Sequence, residues 1–188
     1  AQRDGASAVV LTFHPHPVMI LRGKRDDFYL TIPEQRAGLL CALGIDHVVT
    51  YPFTEEVSQY PPERFVDELI ETINMKKLWV GYDFALGKDR QGDFEYLTKL
   101  GEGKGFDVSL VPPEYQAGEI VSSSLIRMLI KNGRVQKAAK LLGRPYLVNG
   151  EVVSGDKRGR RIGIRTINLD IWPGRVIPRK GVYAARVF

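Results

Sequence analysis

Four short apolar runs, each separated from the next by a stretch of helical period, constrain this chain more than any other feature. "SAVVLTF" (7–13), "DHVVTY" (46–51), "KLWVGY" (77–82) and "FDVSLV" (106–111) are rich in β-branched and aromatic residues and read as strands. Between the first two lies "TIPEQRAGLLCALG" (31–44). Thr31 and Glu34 form a capping-box pattern there, Pro33 sits in the first turn, and Gly44 closes the helix. "PPERFVDELIETINM" (61–75) carries an apolar stripe at Phe65, Val66, Leu69, Ile70 and Ile73, and "GDFEYLTKLGEGKG" (92–105) reads as a shorter helix. A helix opening at 121 is followed by another over 134–142, ending at Gly143 and Pro145. Alternation at this spacing predicts an α/β fold, a parallel sheet covered by helices.

Ligands of such sheets bind beyond the carboxyl ends of the strands. That rule selects "HPHP" after the first strand, "DFALGKDRQG" after the third and "PPEYQAG" after the fourth. The last leads into "VSSSLIRMLIKNG" (121–133). There Ser122, Ser123 and Ser124 run into an apolar-periodic segment, a serine-capped helix start. Arg127 stands where a capping box would place an acid, and 121–134 contain no acid at all. A cation so placed opposes the helix dipole by about 0.3–1 kcal/mol. An anion site explains the placement: amides and hydroxyls cradle a phosphate while Arg127 neutralises it. The plainer alternative is a serine cap with an arginine reaching into water.

Other constellations are weaker taken singly. His14 and His16 lack a third ligand nearby, so "TFHPHP" reads better as a stiff wall, with Phe13, Pro15 and Pro17 suited to a flat ligand, or simply as a proline-ended strand. "VGYDFALGKDRQGDF" (80–94) offers Gly81, Gly87, Gly92 and Asp83 but no Walker ending. It is either a mobile nucleotide loop or a solvated turn. "DKRGRRIGIRTINLD" (156–170) concentrates Lys157, Arg158, Arg160, Arg161 and Arg165. Thr166 and Asn168 there share one strand face, two oxygen donors suited to Mg²⁺ with nucleotide phosphates.

After Pro145 the texture becomes strand-like, punctuated by Gly and Pro, which predicts β-sheet or barrel. At roughly 40 residues this tail is too small for its own core, so it reads as the front of a second domain, and the first strand's early start suggests a clipped front end. The domain division is 1–144 and 145–188. A formal net charge of +5 over 188 residues favours anionic partners. The apolar runs fall far short of the ~20 residues of a membrane span, and no signal peptide is visible. The single Cys41 permits no internal disulfide, and the reducing cytoplasm is the default. The sequence sets no oligomeric state.

Together, "TFHPHP", "LTIPEQRAGLLCALGIDHVV", "YPPERFVDELI", "VGYDFALGKDRQG", "VSSSLIRMLIKNGRVQKAAKLLGRPY" and "IPRKGVYAARV" occur in the order seen in the bacterial bifunctional riboflavin kinase/FMN adenylyltransferase family. The chain resembles that family over essentially its whole length. The resemblance implies a Rossmann-like nucleotidyltransferase domain followed by the start of a β-barrel riboflavin kinase domain. Its substrates would be ATP, FMN and riboflavin, its product FAD, and its metal Mg²⁺. Arg127 would be catalytic, facing the triphosphate, with Ser122, Ser123, Ser124, Gly81 and Asp83 around the ATP phosphates. Phe13, Pro15, Pro17 and Phe84 would meet the flavin. Gly155, Arg161 and Gly163 would form the kinase nucleotide loop, with Thr166 and Asn168 on the metal.

Departures accompany the resemblance. The family's His-x-Gly-His would precede Ala1 and its kinase glutamate would follow Phe188, so these residues alone are expected not to make FAD. Arg165-Thr166-Ile167-Asn168 stands where the family has Pro-Thr-Ala-Asn, a change that bears on kinase competence. Three rivals stay open. A nucleic-acid binder would use the basic 156–165 loop, which lacks interleaved aromatics. An adenylyltransferase for another phosphorylated acceptor would have no need of the tail. A nucleotide-responsive module would have lost catalysis.

Overall fold

All four predicted strands form and pair in parallel, yet they make two ribbons rather than one sheet. In the computed structural model, which describes residues 5–23, 27–155, 163 and 166–188, β1 (Val9–His14) runs beside β2 (His47–Pro52). β3 (Lys77–Gly81) runs beside β4 (Asp107–Val111). Among the described residues no strand pairing joins the two ribbons. Side chains unite them instead: Leu11, Phe13 and Tyr51 from one, and Leu78, Val80 and Val108 from the other, pack on a common core with Phe65, Val66 and Leu97. This core belongs to the first of two units, Ala1–Lys24 with Leu40–Ile120.

The helices of this unit follow their sequence signals closely. α4 (Pro62–Ile73) starts on a proline and ends on Asn74 in the left-handed region (φ 51°). Phe65 and Val66 are buried and Leu69 and Ile70 half-buried, whereas Ile73 is 44% exposed and so falls off the predicted stripe. α5 (Phe94–Lys104) is capped by Asp93, whose carboxylate accepts from the Tyr96 N–H at 2.9 Å. Two short helices carry no periodic signal. α1 (Pro17–Arg22) is capped by His16, whose Nδ1 accepts from Val18 N–H at 3.2 Å, and α3 (Glu55–Ser58) by Thr54. The loop after β4 folds into a small hairpin, β5 (Tyr115–Gln116) with β6 (Glu119–Ile120), turning through Ala117 and Gly118 at positive φ.

The second unit is Arg25–Leu39 with Val121–Phe188. α2 (Pro33–Ala42) begins there, and the Arg36 N–H on the Ile32 carbonyl (3.0 Å) places its start beyond the predicted Thr31 cap. α6 (Ser123–Lys131) and α7 (Val135–Leu142) contribute Ile126, Leu129, Ile130 and Ala138 to a core closed by Val176 from the tail. After Pro145 the described residues hold one antiparallel pair, β7 (Glu151–Val153) with β8 (Asn168–Asp170), and no closed barrel. Val152 is 72% exposed, and Val153 and Leu169 are exposed as well, so the ribbon leaves much of its apolar surface open.

Candidate functional site

The first turn of α6 is serine-capped as its sequence suggests, but the cap is Ser122, so the capping-box position falls on Leu125 and Arg127 stands beyond it. Ser122 is the N-cap, in extended backbone, and its Oγ accepts from the Leu125 N–H at 3.2 Å. Ser123 and Ser124 are exposed, and the turn holds no acid. Arg127 lies one turn on, half-buried. Its Nε donates to the Phe28 carbonyl at 2.7 Å, and its guanidinium carbon sits 3.9 Å above the Phe28 ring. Burial pulls the Arg127 pKa below the ordinary arginine value, which still leaves it a cation at neutral pH. A desolvated cation at the positive end of a helix attracts an anion more strongly than one in water would.

The remaining first-domain candidates lie in the other unit. Phe13 packs into an aromatic cluster, its ring centroid 6.0 Å from Tyr51, 5.2 Å from Phe53 and 5.8 Å from Phe65. Pro15 follows β1, and Pro17 opens α1, so the proline wall continues into a helix. Gly81 and Asp83 are brought together: a Cβ on Gly81 would stand 3.6 Å from the Asp83 carboxylate. Phe84 turns back with its N–H on the Gly81 carbonyl (3.0 Å), and Arg90 Nη2 donates to the Asp83 carbonyl at 2.7 Å. The loop closes on itself through paired Leu86–Gly92 backbone bonds of 2.9 and 2.8 Å. Pro62 lies so close to Gly87 and Gly92 that neither position has room for a Cβ. The paired bonds and the Pro62 contacts hold the two arms of this loop together.

In the tail, Asn168 places its amide against the Cα of Gly155, a cradle that a Cβ would fill, and Gly163 turns at φ 75°. Thr166 is exposed in the segment leading to β8. Arg161 lies outside the described residues, as do Lys157, Arg158, Arg160 and Arg165. The donors present, an amide oxygen and a hydroxyl, suit a hard cation that completes its shell with water and phosphate.

Sequence reasoning passed over three residues. Phe28, the partner of Arg127, follows two aspartates with nothing to mark it. Arg36 in α2 carries Nε and Nη2 buried without a hydrogen-bond partner, and burial lowers its pKa. Arg175 is the buried hub of a tail network. A concavity of about 510 Å³ beside α5 and β4 is lined by Lys77, Thr98, Phe106 and Ser109 among others, and by none of the candidate residues.

Short parallel sheets packed with helices define a mixed α/β protein, an architecture consistent with a nucleotidyltransferase-like domain. The FAD synthetase family model matches residues 1–125, and the riboflavin kinase model matches 142–188. The chain belongs to the FAD synthetase family. It is 36% identical over 187 residues to the bifunctional riboflavin kinase/FMN adenylyltransferase of Listeria monocytogenes. It is 33% identical over 180 residues to that of Escherichia coli K12. It covers 99% and 95% of its own length in these matches but only 59% and 57% of theirs. The crystal structure of a macrolide-efflux protein from Streptococcus pneumoniae matches with TM-score 0.86 and 31% identity, over 97% of this chain and 60% of that one. Among the described residues no helix is long and apolar enough to cross a membrane.

Proposed function

We propose that this chain supplies the adenylyl-transfer machinery of a cytoplasmic enzyme that joins FMN to the AMP portion of ATP, with the front of a riboflavin kinase domain behind it. The division at 144/145 is part of this reading: the family matches cover 1–125 and 142–188, while packing groups α6 and α7 with the tail. The observation that carries the reading is Arg127: half-buried, desolvated, and held one turn inside an acid-free, serine-capped helix start.

A phosphate oxygen of FMN attacks the α-phosphorus of ATP, a P–O bond forms to make FAD, and the bond to pyrophosphate breaks. The protein's part in such a transfer is positioning and charge neutralisation. Arg127 holds the triphosphate with its Nη donors, since its Nε is committed to Phe28. Ser122 fixes the helix start, and the exposed Ser123 and Ser124 offer hydroxyls to phosphate oxygens. Gly81 and Asp83 border the nucleotide, while Phe13, Pro15, Pro17 and Phe84 border the flavin.

In the kinase reaction the riboflavin 5′-hydroxyl attacks the γ-phosphorus of ATP instead. Gly155, Arg161 and Gly163 form its nucleotide loop, and Thr166 and Asn168 would hold Mg²⁺. The close packing of the Asn168 amide against Gly155 supports this reading. The ion, when bound, neutralises phosphate charge.

The decisive experiment is calorimetry of ATP binding to the full-length protein and its Arg127→Ala variant. Loss of one charge-assisted phosphate contact should weaken ATP about ten- to a hundredfold. Unchanged ATP affinity in a folded variant removes the reading's basis.

A further inference from the structure

Arg127 reaches Phe28 twice, and the two contacts fix different things. The Nε bond to the Phe28 carbonyl at 2.7 Å sets where the guanidinium's inner edge lies. The ring 3.9 Å beneath it sets the plane in which the two Nη nitrogens project. Among the described residues no hydrogen bond engages those Nη groups, so the donors left over are the ones a phosphate needs.

Phe28 is itself held by the tail. Its N–H donates to the Gly174 carbonyl at 3.0 Å, and Tyr29 N–H donates to the same oxygen at 2.9 Å. Val176 N–H returns a bond to the Tyr29 carbonyl at 3.0 Å. Tyr29 is buried, with its ring centroid 4.9 Å from that of Trp172, and the Phe28 ring meets Tyr29 edge-on at 5.8 Å. Trp172 folds back over Gly174 so closely that a Cβ there would stand 2.6 Å from the indole. All these residues belong to one unit, so the chain of contacts from Trp172 through Gly174 and Phe28 to Arg127 is continuous.

We propose that Phe28 is a positioning residue for Arg127, and that the tail segment around Gly174 sets Phe28. Residues matched by the riboflavin kinase model are then a working part of the adenylyl-transfer site. This rests on the reading that Arg127 engages ATP.

The test is a double-mutant cycle in the full-length enzyme, measuring FAD formation from FMN and ATP. Phe28→Ala should lower kcat/KM for ATP about three- to thirtyfold, the range of a cation–π contact, and Phe28→Tyr should restore it. In an Arg127→Ala background, Phe28→Ala should cost less than a further twofold. Gly174→Ala should behave like Phe28→Ala, harmful with Arg127 present and nearly silent without it. If Phe28→Ala does not fold, Phe28→Leu keeps the bulk, removes the π face and should show the same pattern. Equal losses in both backgrounds, or full activity in Phe28→Ala or Phe28→Leu, overturn the positioning role. An Arg127→Ala enzyme with normal ATP kinetics overturns the functional reading as well, so the two failures are separable.

Discussion

The Tyr51 hydroxyl stands 2.9 Å from each carboxylate oxygen of Glu68, linking β2 to α4. Burial first, then the bond to Glu68 and its negative charge, push the Tyr51 pKa from 10.0 up to about 12. The folded protein therefore holds this proton more tightly than the unfolded chain. The stabilisation is complete below pH 10 and drains away as pH rises through the window to about 12. Denaturant unfolding at pH 8, 10 and 11 should show stability falling across the last two points. Tyr51→Phe should start about 1 kcal/mol lower and fall less steeply. Parallel pH profiles for the two proteins would contradict the assignment.

Ser122 has a structural duty apart from any ligand, because its Oγ satisfies the Leu125 N–H. Ser122→Ala should cost about 1 kcal/mol in unfolding free energy. Ser122→Asp also caps, and its charge favours the helix N-terminus, so stability should be kept. That same charge would repel a phosphate, so ATP affinity in the full-length protein should fall. Ser122→Asp binding ATP as well as wild type would argue against phosphate at this helix start.

Two glycines in α5 should respond to alanine with opposite signs. Gly103 has open space where a Cβ would go, so Gly103→Ala gains helix propensity, about 0.5 kcal/mol near a helix end. Gly101 is buried, and the turn at Gly105 (φ 77°) folds the Phe106 carbonyl onto it, leaving no room for a Cβ. Overpacking of this kind costs about 1–3 kcal/mol, which outweighs the propensity gain. Urea midpoints should rise for Gly103→Ala and drop for Gly101→Ala. A rise in both would mean the close approach relaxes freely.

The strands and the three longer helices of the front region were legible because each combines a period with a terminal residue of known chemistry. Gly44 after α2 is an example, and Gly143 after α7 gives the same signal further along. α1 was hidden because its cap is an imidazole nitrogen and six residues show no period. Pairing across ribbons is a tertiary matter, and nothing in β1 or β3 says which edges meet. In the site, Ser122 and Arg127 declared themselves by an absence of acid where a helix start favours one. Their partner could not, for Phe28 is 99 residues away from Arg127 and becomes relevant only when the chain folds back. Arg175, between Gly and Val in a basic tail, reads as a surface residue yet is 1% exposed.

That arginine supports the most quantitative expectation. Its guanidinium donates to Gln35 Oε1, the Leu147 carbonyl, Asn149 Oδ1 at 3.3 Å and the Tyr146 hydroxyl at 3.1 Å, and Tyr146 in turn donates to the Val176 carbonyl at 2.7 Å. Among the described residues no carboxylate pairs with it. The cation is thus buried on neutral acceptors alone, and Arg175→Ala should cost about 3 kcal/mol by orphaning them. Gln35→Glu keeps the shape and adds the missing charge. Only the carboxylate has to be desolvated, because the cation already is, so attraction should win by about 1 kcal/mol. The neighbouring cation would hold the new carboxyl's pKa below its unfolded value of about 4.3, so the gain exists above that pH and is lost as pH falls through the lower folded value. Thermal unfolding at pH 7 and again under acid conditions should show Gln35→Glu above wild type in the first case only. A variant less stable than wild type at pH 7 would mean that desolvating the carboxylate costs more than its attraction to Arg175 returns.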